Sequence, residues 1–460
     1  MTADWIWASS EELTAAYARE EASPVDVVQS LLRHIPARDE ELGAISVLYR
    51  DKALESAAAS ERRWKRRTPQ SPLDGVPVML REDMATPAYP NEVDGIAPVA
   101  ARLLEAGCII MGKTAMAAHE TLTAGVCRDG HIVRNPWQPQ LSPGGASSGA
   151  AVACAAGYAP LHVAVDRMGS LRLPAAFCGV YGFKPTQGRV PVGDPATGMV
   201  AGPISRTVHD AAALMNILVR PDDRDFTALP AQSQEYRMRV DGLSPKSLTI
   251  GVLTDMGMGL PVDPAISAVV YQAAKALQMA GAEIEMLDGI ISPEMFDALQ
   301  LLLEMEAHAD LLTMNQAQRN EVPRFVREWA EYRAADLQGP NLMAAFRTVM
   351  KMRAAINTAM MGYDYLLMPV CPVLPYAAEA LSPSGKPQDG LPHLVFTAPW
   401  SMAENPAASI HWVQGAEAVP IAVQVIGHRF DDLGVLRLSR TLEIMRPDQP
   451  GWPCLPQDRA

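Results

Sequence analysis

The sequence predicts an α/β fold: a mixed, mostly parallel sheet covered by helices on both faces. Three observations carry this. Short runs of wholly apolar residues recur along the chain, the pattern of strands buried on two faces. Stretches of helical periodicity separate them, as crossover connections require. With 48% hydrophobic and 20% charged residues over 460, the chain has the composition of a large globular enzyme.

The elements follow in order. Residues 9–35 read as two helices, the first opened by a Ser9/Glu12 capping box and the second by Ser23 with Pro24 at the first helical position. Residues 51–66 form an amphipathic helix whose basic end, Arg62 to Arg67, suits the helix dipole and reads as a solvated face. Gly75 to Leu80 is a buried strand ending in Arg81-Glu82-Asp83. A helix over 96–106, closed by Gly107, leads to the strand Cys108 to Met111. Alternation continues through 146–165, 206–218, Leu248 to Leu253, 264–280, Glu283 to Met286, Tyr365 to Met368, Ala408 to Trp412, Ile421 to Ile426 and a last helix over 431–445. Residues 288–360 differ: they are helical, rich in Met, Leu, Glu and Arg, and show no strand, which marks a helical insertion or cap. Residues 371–395 are rich in proline without periodicity and read as a loop that could cover a site.

Bulk properties exclude several classes. A formal net charge of −13 argues against nucleic acid or an anionic membrane as partner. The most apolar region, 146–166, is interrupted by Gly157, Pro160 and His162 and is too broken to span a bilayer. The first residues, MTADWIWASSEEL, lack the basic start and apolar core of a signal peptide. Six scattered cysteines, with no Cys-x-x-Cys pair and no histidine cluster, suit a reducing, cytoplasmic compartment and give no ligand set for a metal. No cofactor is expected.

The stretch Ser142 to Pro174 organises the rest. A Gly-Gly-Ala-Ser-Ser-Gly turn opens a buried helix whose first N–H groups are free to orient an anion or a hydroxyl. A second turn, Asp166-Arg167-Met168-Gly169-Ser170, displays Ser170 where the backbone must approach something closely. This stretch resembles the amidase signature family, which hydrolyses amides with a Ser–cis-Ser–Lys triad in a frame close to Gly-Gly-Ser-Ser-Gly-Gly followed by Asp-x-Gly-Gly-Ser-x-Arg-x-Pro. Further motifs fit in order: Gly75-Val76-Pro77-Val78, Gly112-Lys113-Thr114, Asn135-Pro136-Trp137, Gly182-Phe183-Lys184-Pro185-Thr186, Gly202-Pro203 with Arg206-Thr207-Val208, and Pro420 to Gly427. The resemblance spans about residues 10 to 445 and implies one amidase-like domain over 1–460, with 288–360 inserted in it.

Residue by residue, the resemblance implies an altered site. Ser170 takes the nucleophile position. The bridging serine falls on Ala146, 24 residues earlier, which has no hydroxyl to relay a proton. Ser147 is the nearest substitute, but one residue at a helix start turns the side chain by about 100°. The lysine falls on Arg81. A desolvated lysine can be neutral and accept a proton, whereas arginine stays protonated and offers donors only. Arg81 therefore reads either as the partner of Glu82, Asp83 or another carboxylate, or as a binder of a substrate anion. The oxyanion turn reads Arg167-Met168-Gly169. If the first Gly of the family's turn has φ > 0, Met168 in its place costs roughly 1–2 kcal/mol or forces another turn, and its side chain takes space near the carbonyl. The loop after Arg81 is shorter than the family's, with the gap over 86–96. His119, with Glu120 in a site-proximal helix, is a weak candidate for a replacement base. Lys113 reads as structural. Gly107 to Thr114 has the letters of a phosphate loop, but its apolar centre is a strand.

Two functions remain: an amide hydrolase with a slow or rewired Ser170, or a non-catalytic homologue that binds a small-molecule amide or carboxylate or serves as a partner subunit. A homodimer stays open.

Overall fold

In the computed structural model, residues 5–86, 96–120, 122–193 and 196–453 are described. Eleven strands form one sheet. In chain order they are β1 (Ile45–Leu48), β2 (Pro77–Arg81), β3 (Ile109–Thr114), β4 (Leu161–Asp166), β5 (Tyr181–Lys184), β6 (Val200–Ser205), β7 (Thr249–Val252), β8 (Glu283–Met286), β9 (Tyr365–Pro369), β10 (Ala407–Gln414) and β11 (Pro420–Gly427). Their order across the sheet is β1-β3-β2-β4-β6-β5-β10-β11-β9-β7-β8.

The expected mixed sheet is present, but it is not mostly parallel. Of its ten neighbouring pairs, β2 with β3 and β4, and β7 with β8 and β9, are parallel, and the other six are antiparallel. The physical reason is plain: a strand buried on both faces is apolar throughout whichever way its neighbour runs. Strands β2, β3, β4, β6, β9 and β11 are buried at every residue. The edge strands β1 and β8 are partly exposed, and β8 alternates Glu283 and Glu285 with apolar residues, a charged edge that discourages pairing with another chain.

Helix starts follow their local chemistry. Ser9/Glu12 and Ser23/Asp26 both form reciprocal capping boxes. The second of these helices runs through Pro36 to Leu42 and stops at Gly43, with φ 61°, beyond the end that the sequence suggested. Pro36 removes one backbone donor, and the buried residues that follow, Arg38 and Leu42, keep the last turns packed.

The region expected to be a helical insertion holds four helices, Pro293–Thr313, Gln316–Glu321, Arg324–Ala334 and Gly339–Met360, and no strand among the described residues. Its apolar side joins Leu303, Trp329 and Met352 to Met168, Phe177, Phe396 and Trp400 in one buried cluster. The proline-rich loop after β9 is anchored beside the signature stretch, because Ser142 N–H donates to the Tyr376 carbonyl and the Tyr376 hydroxyl donates to the Thr123 carbonyl. No helix of the described residues is long and apolar enough to cross a membrane.

Candidate functional site

The parallel strands β2, β3 and β4 end together at Arg81, Thr114 and Asp166, so the residues that follow them share one end of the sheet. Ligands of open α/β sheets bind beyond such carboxyl ends. The helix Ser148–Ala155 and the helix Arg172–Cys178 bring the two signature turns to the same place. A backbone bond ties them, from Ser147 N–H to the Ser170 carbonyl at 3.0 Å.

Asp166 and Arg172 hold the second turn. Both side chains are fully buried and joined at 2.9 Å. Asp166 also accepts from the Gly169 N–H at 2.8 Å, while Arg172 reaches Gln424 and Ser401, each at 2.7 Å, and the Thr397 carbonyl. Burial alone would raise the Asp166 carboxyl, but Arg172 outweighs it and holds the group below its ordinary value. Gly169 has φ 116°, and a Cβ there would lie 2.5 Å from Thr397 Oγ1, so the turn admits only glycine at this point.

Met168 departs from the expectation. It is not among the residues with positive φ. The left-handed position of the turn is Gly169, so Met168 carries no conformational penalty, and its side chain is buried in the cluster that holds Leu303, Trp329 and Met352. Its carbonyl accepts from the Thr397 hydroxyl at 2.6 Å. Among the described residues, the N–H groups of Met168 and Ser170 have no acceptor. Arg167 pairs with Glu306 of the helix Pro293–Thr313 and donates to the Thr197 carbonyl.

Ser170 is 7% exposed. Its hydroxyl makes no hydrogen bond to any described residue, while its carbonyl is engaged by Ser147. Ala146, reached through a cis Gly145–Ala146 peptide, is fully buried. Its methyl sits in a small apolar cluster with Ala117, Leu122, Phe325 and Val326, the last two from the helix Arg324–Ala334. The neighbouring Ser147 is engaged elsewhere: its Oγ donates to the Val165 carbonyl at 3.0 Å and accepts from Arg81 at 3.4 Å. Ser147 is the N-cap residue of the helix Ser148–Ala155, not part of a helical turn with Ala146, and its side chain reaches β4.

Arg81 is 1% exposed and is held by two carboxylates. Its Nε donates to Asp83 Oδ1 at 2.7 Å and Nη2 donates to Asp83 Oδ2 and to Glu120 Oε1, the latter at 3.0 Å. Burial alone would lower its pKa, but Asp83 and Glu120 hold it above the ordinary value, so the cation persists. Glu82, the other candidate partner, instead accepts from the Met116 N–H. Glu120 and His119 do not lie in a helix; residues 115–120 are irregular. His119 is pushed by burial below the ordinary histidine range. Lys113 donates to the Met84 carbonyl from a buried position, as a structural residue does. The shortened loop placed at 86–96 lies, apart from its two ends, outside the described residues.

Two cavities flank this constellation. One of about 560 Å³ is lined by Asp83, Glu120 and apolar residues that include Val99, Val165 and Val192. Another of about 260 Å³ opens beside the helix Pro293–Thr313, with His119, Glu120, Arg167 and Glu306 on its walls. Ser170 lines neither.

The profile of the Amidase family matches residues 26–436. The chain belongs to the amidase family. An acylamidase of Rhodococcus erythropolis is 29% identical, covering 96% of both chains. One of the subunits of the glutamyl-tRNA(Gln) amidotransferase of Alkaliphilus metalliredigens is 27% identical, over 94% of this chain and 95% of its own. Among solved structures, a bacterial aryl acylamidase of the amidase signature enzymes superposes with a TM-score of 0.87 at 26% identity, covering 95% of this chain and 96% of that one. Within an amidase fold, sequence reasoning found the turns but missed what supports them. Thr397, Ser401, Gln424 and the Phe325–Val326 pair lie far along the chain, and no local pattern marks them as neighbours of Ser170 or Ala146. Glu120 was in view, but not as the partner of Arg81.

Proposed function

We propose that this chain is an amidase homologue that binds a small molecule without hydrolysing amides by the family's relay. The observation that carries the reading is the state of Arg81. A guanidinium fixed by Asp83 and Glu120 has no lone pair to offer and no route to lose its proton. Without a base, a serine hydroxyl is a poor nucleophile. The surroundings of Ala146 and Ser147 support the same reading, since one is apolar and the other is turned to the Val165 carbonyl.

One observation favours a second reading, a slow hydrolase. The unengaged Ser170 hydroxyl and the unpaired N–H groups of Met168 and Ser170 leave a nucleophile and oxyanion donors in the turn. A role as a partner subunit is a third, in keeping with the relative whose name marks it as one component of an amidotransferase. On any of these readings the chain acts as one amidase-like domain with 288–360 inserted, in the cytoplasm.

The test is labelling with a fluorophosphonate and ammonia release from hexanamide, for the wild type and Ser170→Ala. The expected result is no labelling and no release above the Ser170→Ala background. Ser170-dependent turnover at rates ordinary for amidases would overturn the proposal.

A further inference from the structure

The cavity of about 560 Å³ is not used by the chemistry described above. Its size is that of a small-molecule site. Most of its wall is apolar, with Met84, Pro98, Val99, Val192 and Met199 among the lining residues. Two carboxylates, Asp83 and Glu120, face into it with side chains 37% and 35% exposed. Both are fixed from behind by one fully buried cation, Arg81. The remaining cation in the wall among the described residues, Arg224, is committed to Asp222 through bonds of 2.8 and 2.7 Å. Among the described residues that line the cavity, two carboxylates against the one guanidinium of Arg81 leave one negative charge in excess beside an apolar chamber, and the buried Lys113, bonded to the Met84 carbonyl, does not line it.

We infer that this cavity takes a small primary amine with an apolar body, its ammonium between Asp83 and Glu120 and its hydrocarbon against Val99 and Val192. An ammonium supplies the missing positive charge and three donors, for Glu120 Oε2, which Arg81 leaves open, and for the second lone pairs of the oxygens that it engages. A neutral amide supplies donors without charge. A carboxylate adds like charge to a site that already has an excess, so of the two ligand classes expected from the sequence, amide and carboxylate, the second is the one that this wall repels. The inference rests on the small-molecule-binding part of the proposed function and gives that part a place and a chemical class.

The experiment is calorimetric titration of the full chain with hexylamine, hexanamide and hexanoate at neutral pH and low salt. Three forms are compared: wild type, Glu120→Gln and Val192→Trp, the last placing a large ring in the half-buried wall. Hexylamine should bind the wild type, weakening about tenfold or more in Glu120→Gln, where a charge-assisted bond is lost. It should also weaken in Val192→Trp, and it should bind more tightly than hexanamide or hexanoate. Circular dichroism melts identify a variant that fails to fold, and the other variant then decides. Amine binding unaffected by Val192→Trp overturns the location. Preference for the amide or the carboxylate overturns the ligand class while leaving the non-hydrolytic reading intact. Ammonia release from hexanamide, measured in the same samples, sinks that reading separately. Absence of binding by all three probes overturns the inference.

Discussion

Arg81 and Glu120 are joined at 3.0 Å across 39 residues of sequence, from the end of β2 to the segment after β3. With Asp83 on the same guanidinium, this pair makes the position an acidic pocket for any cation placed there. A lysine put at residue 81 would meet the same two carboxylates, and opposite charges within about 4–6 Å favour the protonated amine. The double variant Arg81→Lys with Ala146→Ser is therefore expected to release no more ammonia from hexanamide than wild type. Amide turnover gained by this variant would show that the carboxylates do not hold the amine charged.

Ala146→Ser alone tests the apolar cluster. A hydroxyl placed among Ala117, Leu122, Phe325 and Val326 is buried away from water. If it finds no acceptor, its cost is about 1–3 kcal/mol. Urea unfolding should show a loss in that range, and an unchanged midpoint would mean that the hydroxyl is satisfied.

Gly169→Ala adds a methyl to a residue at φ 116° and drives it to 2.5 Å from Thr397 Oγ1 and 2.8 Å from Thr397 Cβ. Strain and overlap together should cost about 2–4 kcal/mol. A Tm within a degree or so of wild type would place the turn in another conformation.

Lys184 supplies a pH signature. Burial, and then the nearby Arg172, lower its amine to about 7, only partly offset by Asp166, Asp432 and Glu404. The unfolded chain holds that proton up to about 10.4. Between those values the unfolded state binds more protons, so this residue's contribution makes stability rise with pH. Lys184→Met should thus gain most over wild type below about pH 7, with the gap closing toward about pH 10. A gap independent of pH in paired unfolding curves would count against the lowered amine.

His162 works at the acid side. Its ring is fully buried, neither nitrogen has a hydrogen-bond partner among the described residues, and burial, with Arg206, lowers it to about 3. The neutral form is favoured on folding, so the stability it contributes is complete above about pH 6.5 and is lost as pH falls toward the folded value. His162→Leu should lose less Tm than wild type between neutral pH and pH about 5. Equal losses would mean that the ring does not titrate with unfolding.

What the sequence determined by itself is the part written in short patterns. The capping boxes at Ser9 and Ser23, the apolar strands and the stretch from Ser142 to Pro174 depend on neighbours a few residues apart. The reading of Arg81 and Ala146 as stand-ins for the lysine and the bridging serine rests on the spacing of the motifs alone. Strand direction could not be read, since β4 and β6 are buried at every residue and show no alternation whether parallel or antiparallel. Nor could the conformation of Met168, because the adjacent Gly169 takes up the left-handed geometry. The partners of the site were decided only by tertiary structure: Glu120 on Arg81, Thr397 on the Met168 carbonyl, and Phe325 and Val326 against Ala146. Each such contact joins segments distant in sequence, and its energy comes from burial and charge pairing that exist only when the sheet brings those segments together.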